Sequence, residues 1–134
     1  MKKDIVTLAV EQVAVVATPR TGDAAEQLWD IHLVNEGDEI MENVLVSSRG
    51  FGELDGREKT TTTLRYFFQE IPPKSSVVVE PIQPALFAID NEYWVSFNQK
   101  GHMLDRKYLF PAKSIDANKL DFQSIINLAG ISAK

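Results

Sequence analysis

The chain contains no cysteine. That removes disulfides, thiolate metal sites and thiol nucleophiles together, leaves the core to packing and hydrogen bonding, and suits a reducing, cytoplasmic setting. Histidine is scarce too: His32 and His102 are the two present. They fall on segments expected in different strands, neither has a neighbour at the spacing of a metal pair, and both read as surface side chains. No run approaches the roughly 18 to 20 uninterrupted apolar residues of a membrane span. Asp4 and Glu11 interrupt the apolar stretch that a secretory signal would need after Met1-Lys2-Lys3. A soluble protein with no membrane partner is expected. Basic charge is in deficit, with 14 Lys+Arg against 19 Asp+Glu and a net charge of −5. A nucleic-acid backbone would need a local basic patch working against that field, and none is visible.

What is present is ordinary globular composition, 44% hydrophobic and 25% charged over 134 residues, enough for one domain spanning 1–134. Its apolar residues recur mostly with a period of two. From Ile5 to Val16, Val6, Leu8 and Val10 share one parity and Val13 and Val15 the other, which predicts a bulge or a change of sheet near Glu11-Gln12. Thr18 to Asp23 has turn chemistry. Trp29, Ile31 and Leu33 alternate with Asp30 and His32 in a half-buried strand. Asn35-Glu36-Gly37-Asp38 then reads as a hairpin connection into Ile40 to Ser47, with Val44 and Val46 inward. Arg49 to Lys59 reads as a glycine-rich, charged hairpin loop, and Thr60 to Gln69 as a long strand with Leu64, Tyr66 and Phe68 opposed to Arg65 and Phe67. Val77 to Ile82 is a strand, and Pro81 and Pro84 confine that region to an edge or an irregular crossing. Leu86 to Ile89, Tyr93 to Asn98 and Met103 to Phe110 complete the β part, with a turn at Lys100-Gly101. In the tail, Phe122, Ile125, Ile126 and Ala129 fall at i, i+3, i+4 and i+7, so a short amphipathic helix is predicted over 116–130. The expected fold is all-β, an immunoglobulin-like antiparallel β-sandwich with strands over 1–112 and that helix at its C-terminus.

The immunoglobulin-like reading leans on Asp90-Asn91-Glu92-Tyr93-Trp94-Val95, which has the spacing of a tyrosine corner with Val95 in the slot where antibodies place a cysteine. Tyr93 reads equally as a core aromatic alternating with Val95 and Phe97. Leu33 to Gly37, Val44 to Val46 and Ile71 to Ser75 before Val77 to Val79 also resemble appendage-type sandwich modules. Glu42 to Val46, Gly50 to Glu53, Thr62 to Arg65, Val79 to Ile82 and Asn91 to Val95 resemble a family of short uncharacterised bacterial proteins of unknown function. Members of that family are sometimes labelled phenylalanyl-tRNA synthetase subunit alpha. The resemblance spans most of the chain and implies no particular site residues.

Catalytic chemistry finds no footing. Gly50-Phe51-Gly52-Glu53-Leu54-Asp55-Gly56 is one residue longer than the dinucleotide fingerprint and precedes a threonine-rich strand instead of a helix. Glu53, Asp55 and Glu58 lack calcium-loop spacing. Ser47-Ser48 and Ser75-Ser76 sit in strand and turn contexts without a base and orienter. No cofactor or metal is expected, and the chain reads as a non-enzyme. If Tyr93, Val95 and Phe97 face inward, Trp94 faces outward, as do Phe67 and Leu45 on their strands, with Arg65 beside them. These four residues form the predicted interface of a protein-interaction module that binds a protein partner or a second copy as a dimer. The alternative is a small-ligand or carbohydrate-binding domain using the 49–59 loop carboxylates and an exposed aromatic.

Overall fold

A computed structural model describes residues 10–20 and 27–134. Among these residues the chain forms strands β1 (Val13–Pro19), β2 (Trp29–Asn35), β3 (Met41–Leu54), β4 (Arg57–Thr60), β5 (Leu64–Ile71), β6 (Ser75–Ile82), β7 (Asp90–Gln99), β8 (His102–Phe110), β9 (Asp121–Gln123) and β10 (Leu128–Ser132). They make two antiparallel sheets. The first has the order β6-β2-β1-β10-β9, and the second has β4-β3-β7-β8 with β5 also paired to β3.

The core lies between the sheets because each supplies one apolar parity. Val13, Val15, Ala17, Trp29, Ile31 and Leu33 from the first meet Val44, Val46, Tyr93, Val95, Phe97, Tyr108 and Phe110 from the second. Edge-to-face aromatic contacts, Trp29 on Phe87 and Tyr93 on Phe110, add to this packing. The Tyr108 hydroxyl crosses the core and donates to the Val13 carbonyl at 2.9 Å. Burial pushes that phenol up to about 12, so it remains a donor.

The expected parity switch at Glu11-Gln12 is present: Gln12 has φ 60, which lets Val10 and Val13 both reach the core. The first strand differs from its predicted span. It runs through Pro19 instead of turning at Thr18, while the part of the prediction at 5–9 and the remainder of the predicted turn at 21–23 lie outside the described residues.

The connection at Asn35 is a correction. β2 and β3 lie in different sheets, so 36–40 is a crossover and not a hairpin. Its geometry is held by the fully buried Asn35 side chain, which donates to the carbonyls of Glu39, Ile71 and Pro72 and accepts from the Gly37 amide. A buried amide that satisfies a turning backbone fixes the corner as firmly as a hairpin would.

The 49–59 segment is the expected hairpin, but its arms are strands rather than loop. β3 continues to Leu54, turns on Asp55-Gly56 with both residues at positive φ (55 and 77), and returns as β4. An Asp-Gly pair in this conformation makes a two-residue hairpin turn whose twist matches its strands. The return continues past Thr61, whose amide donates to the Gly50 carbonyl at 2.8 Å, and resumes at Leu64 opposite Ser48. The predicted Thr60 to Gln69 strand is therefore one excursion interrupted at 61–63, where the threonine run bulges.

β6 is an edge strand, one of the two placements that Pro81 and Pro84 allowed. Leu86 to Ile89 is not a strand, because Pro84 opens a 3-10 turn over Pro84–Ala88. Lys100-Gly101 is the expected turn. The predicted helix over 116–130 is absent: that span is a β9–β10 hairpin. Its i, i+3, i+4 pattern dissolves once Asn127 takes φ 55 and β10 pairs with β1. Gly130 lies so close to β1 that an added Cβ would sit 2.7 Å from the Ala17 carbonyl oxygen. Lys134 then exchanges backbone hydrogen bonds with Leu109 of β8, so the tail joins one sheet to the other.

Candidate functional site

The second sheet presents an uncovered outer face. Its register sets two adjacent rows across the strands: Arg65, Ser47, Trp94 and Lys107 in one, and Phe67, Leu45, Ser96 and Asp105 in the other. Three large apolar residues stand exposed in these rows, Phe67 at 63%, Trp94 at 42% and Leu45 at 41%, and Met103 at 81% shares the outward parity of Asp105 on β8. The predicted interface residues Trp94, Phe67, Leu45 and Arg65 are thus brought together on one face. Trp94 is held in place by its neighbours on β8: its indole nitrogen donates to the Asp105 carboxylate at 2.9 Å, and the Lys107 ammonium lies 4.5 Å from the ring centroid. An indole fixed on both sides loses little rotamer freedom on meeting a partner.

A second arrangement, invisible in the sequence, sits at one margin of the space between the sheets. β2 and β6 shift register between Ile31 and His32, and this irregularity turns both Val79 and Glu80 inward. The Glu80 carboxylate then accepts hydrogen bonds from the hydroxyls of Ser48 on β3 (3.1 Å), Tyr66 on β5 (2.7 Å) and Tyr93 on β7 (2.6 Å). One side chain of the first sheet therefore ties down three strands of the second. Burial first, and Glu80 second, raise both phenols: Tyr66 is pushed up to about 12, and Tyr93, 1% exposed, goes further upward. Both are donors at any physiological pH. Glu80 and Tyr93 also line a cavity of about 240 Å³, walled by Leu64, Pro81 and Leu86 with Arg49 among its lining residues. The Arg49 guanidinium is drawn off over the Phe51 ring, 4.7 Å from its centroid.

Tyr93 settles its two expected readings. It alternates in the core with Val95 and Phe97, and its hydroxyl goes to Glu80 instead of the upstream backbone of a tyrosine corner. Asn91 serves that backbone, donating to the Leu86 and Ile89 carbonyls.

The remaining candidates scatter. Glu53 and Glu58 face each other across β3 and β4, with Asp55 in the turn. The shallow concavity at the hairpin tip is lined by Leu54, Asp55, Arg57, Glu58, Lys59 and Thr60, with no aromatic floor. Among the described residues no group of His, Asp and Glu is placed to hold a metal ion. His102 is exposed as expected. His32 is not: it is 7% exposed and its Nε2 lies 2.8 Å from the Thr18 hydroxyl. Burial lowers its pKa, partly opposed by Asp30. No helix among the described residues is long and apolar enough to cross a membrane. No family model, curated protein or solved structure matches the chain.

Proposed function

We propose that this chain is a cytoplasmic, non-enzymatic protein-interaction module of immunoglobulin-like sandwich type that docks through the outer face of its second sheet, and that the partner is a second copy of the chain. The strand order supports the sandwich reading: β6-β2-β1 run side by side in the first sheet and β3-β7-β8 in the second. The observation that carries the interface is the pairing of rows. A two-fold axis running across the strands between them sets each row against the other row of the partner. Lys107 then meets Asp105 of the partner subunit, Arg65 meets the partner's Phe67, and Ser47 meets the partner's Leu45, each contact occurring twice. Opposite charges are matched and no like charges are opposed, so the face is complementary to itself. An axis along the strands would instead set Arg65 against the partner's Lys107.

Phe67, Leu45 and Trp94 offer roughly 300 Å² of exposed apolar area per copy, on the order of 7 kcal/mol at about 25 cal/mol per Å². Two copies together supply about 14 kcal/mol against an association cost of about 4 to 15 kcal/mol, and a dimer of tens of micromolar or tighter corresponds to a cost of about 8 kcal/mol or less, in the lower half of that range. Light scattering between about 1 and 500 µM tests this. The wild type is expected to pass from monomer to dimer and Trp94→Asp to stay monomeric; a wild type that is monomeric throughout ends the proposal.

A further inference from the structure

The Glu80 carboxylate stands apart from the ion pairs of the described residues. Among the described residues no lysine, arginine or histidine lies within salt-bridge distance of its carboxylate. Its partners are three neutral hydroxyls, two on Oε1 and one on Oε2. A carboxylate has about four acceptor sites, so one remains on Oε2. A half-buried carboxylate without an ion-pair partner is costly to desolvate, and Arg49, which also lines the cavity, is engaged elsewhere, over the Phe51 ring and 4.0 Å from Glu92. The cavity beside it has the build of a small-molecule site, mostly apolar walls with a few converging polar groups.

We propose that this cavity binds a small organic cation, a primary ammonium with a short apolar body. The ammonium head takes the open acceptor site of Glu80, and the body packs against Leu64, Pro81 and Leu86. A volume of about 240 Å³ limits the ligand to a short aliphatic or single-ring amine. Tyr66 and Tyr93 hold the carboxylate in position and take no part as acids. The inference is independent of the outer-face interface: Glu80 belongs to the first sheet and points between the layers.

The test is titration of the ¹⁵N-labelled chain with n-butylammonium, with n-butanol and butyrate as matched probes. Saturable shifts confined to the amides of Glu80, Tyr93, Leu64 and their neighbours are expected with the ammonium alone. Glu80→Gln, which keeps shape and removes charge, should weaken binding at least ~10-fold. Leu64→Ala, an exposed position that leaves the fold intact, should weaken it about fivefold. Absence of saturable shifts, an equal response to butanol, or unchanged affinity in Leu64→Ala overturns the proposal. If Glu80→Gln does not fold, the ammonium-over-butanol preference and the Leu64→Ala loss decide it.

Discussion

Replacing Glu80 with glutamine probes the tie between the sheets. In the native protein its carboxylate accepts from Tyr93, Tyr66 and Ser48. Glutamine keeps the shape but offers one acceptor oxygen and an NH2 donor, so a hydroxyl that formerly donated must turn around or go unpaired. Tyr66 is half-buried and has recourse to water; Tyr93 is buried and has none. Charge-assisted hydrogen bonds are worth about 1.5 to 3 kcal/mol, and an orphaned buried hydroxyl costs about 1 to 3 kcal/mol. Glu80→Gln should therefore lose about 2 to 3 kcal/mol, and Glu80→Ala, which strands all three hydroxyls, about 3 to 5 kcal/mol. The assay is urea unfolding followed by tryptophan fluorescence, to which Trp29, buried in the same core, contributes. With a slope of about 1 to 3 kcal/mol per molar for a domain of this size, the glutamine midpoint should fall by roughly 1 M or more. A double-mutant cycle with Tyr93→Phe should give a coupling of about 1 to 2 kcal/mol. A coupling below about 0.3 kcal/mol, or a glutamine midpoint equal to that of the wild type, would refute the reasoning.

His32 predicts a pH dependence with a definite sign. Its folded pKa lies below the ordinary 6.5, so the unfolded chain takes up the proton first; its contribution is whole above pH 6.5 and is lost as pH falls through the window beneath that value. His32→Gln should flatten the slope of the urea midpoint just below about pH 6.5 relative to wild type, and parallel slopes would contradict it. At the β1–β10 seam, Gly130→Ala would drive a methyl to 2.7 Å from the Ala17 oxygen and Val16 Cγ1 and should cost about 2 kcal/mol or more. Gly56→Ala meets nothing within 4 Å and should cost only the left-handed backbone, about 1 kcal/mol. Thermal melts that rank the two glycine variants the other way would undo the account of the seam.

Local patterning carried the strands that alternate cleanly. Trp29-Ile31-Leu33, Val44-Val46 and Tyr93-Val95-Phe97 all face the core, and from that parity the outward set of Trp94, Phe67 and Leu45 follows directly. Turns with a conformational signature were legible as well, at Lys100-Gly101 and, for a reader attending to the Asp55-Gly56 pair, at the hairpin tip. What failed depends on non-local pairing. Asn35 to Asp38 has hairpin chemistry, yet a buried asparagine sends the chain to the other sheet. The apolar spacing of Phe122, Ile125, Ile126 and Ala129 fits a helix, but those residues lie on the two arms of a hairpin that β1 recruits. His32 alternates as a surface residue and is nevertheless covered. Glu80 was missed because its inward aim comes from a register shift against β2, and its partners come from β3, β5 and β7. A charged residue closing the apolar run Val77-Val78-Val79 was the one available hint.

The self-complementary face is tested most directly by sedimentation equilibrium of a charge swap. Asp105→Lys alone sets lysine against Lys107 of the partner subunit and should weaken the dimer at least ~10-fold. Adding Lys107→Asp restores opposite charges across the two-fold axis and should recover most of the lost affinity. Two variants that dimerise as the wild type does, or a double variant as weak as the single, would contradict the proposed assembly.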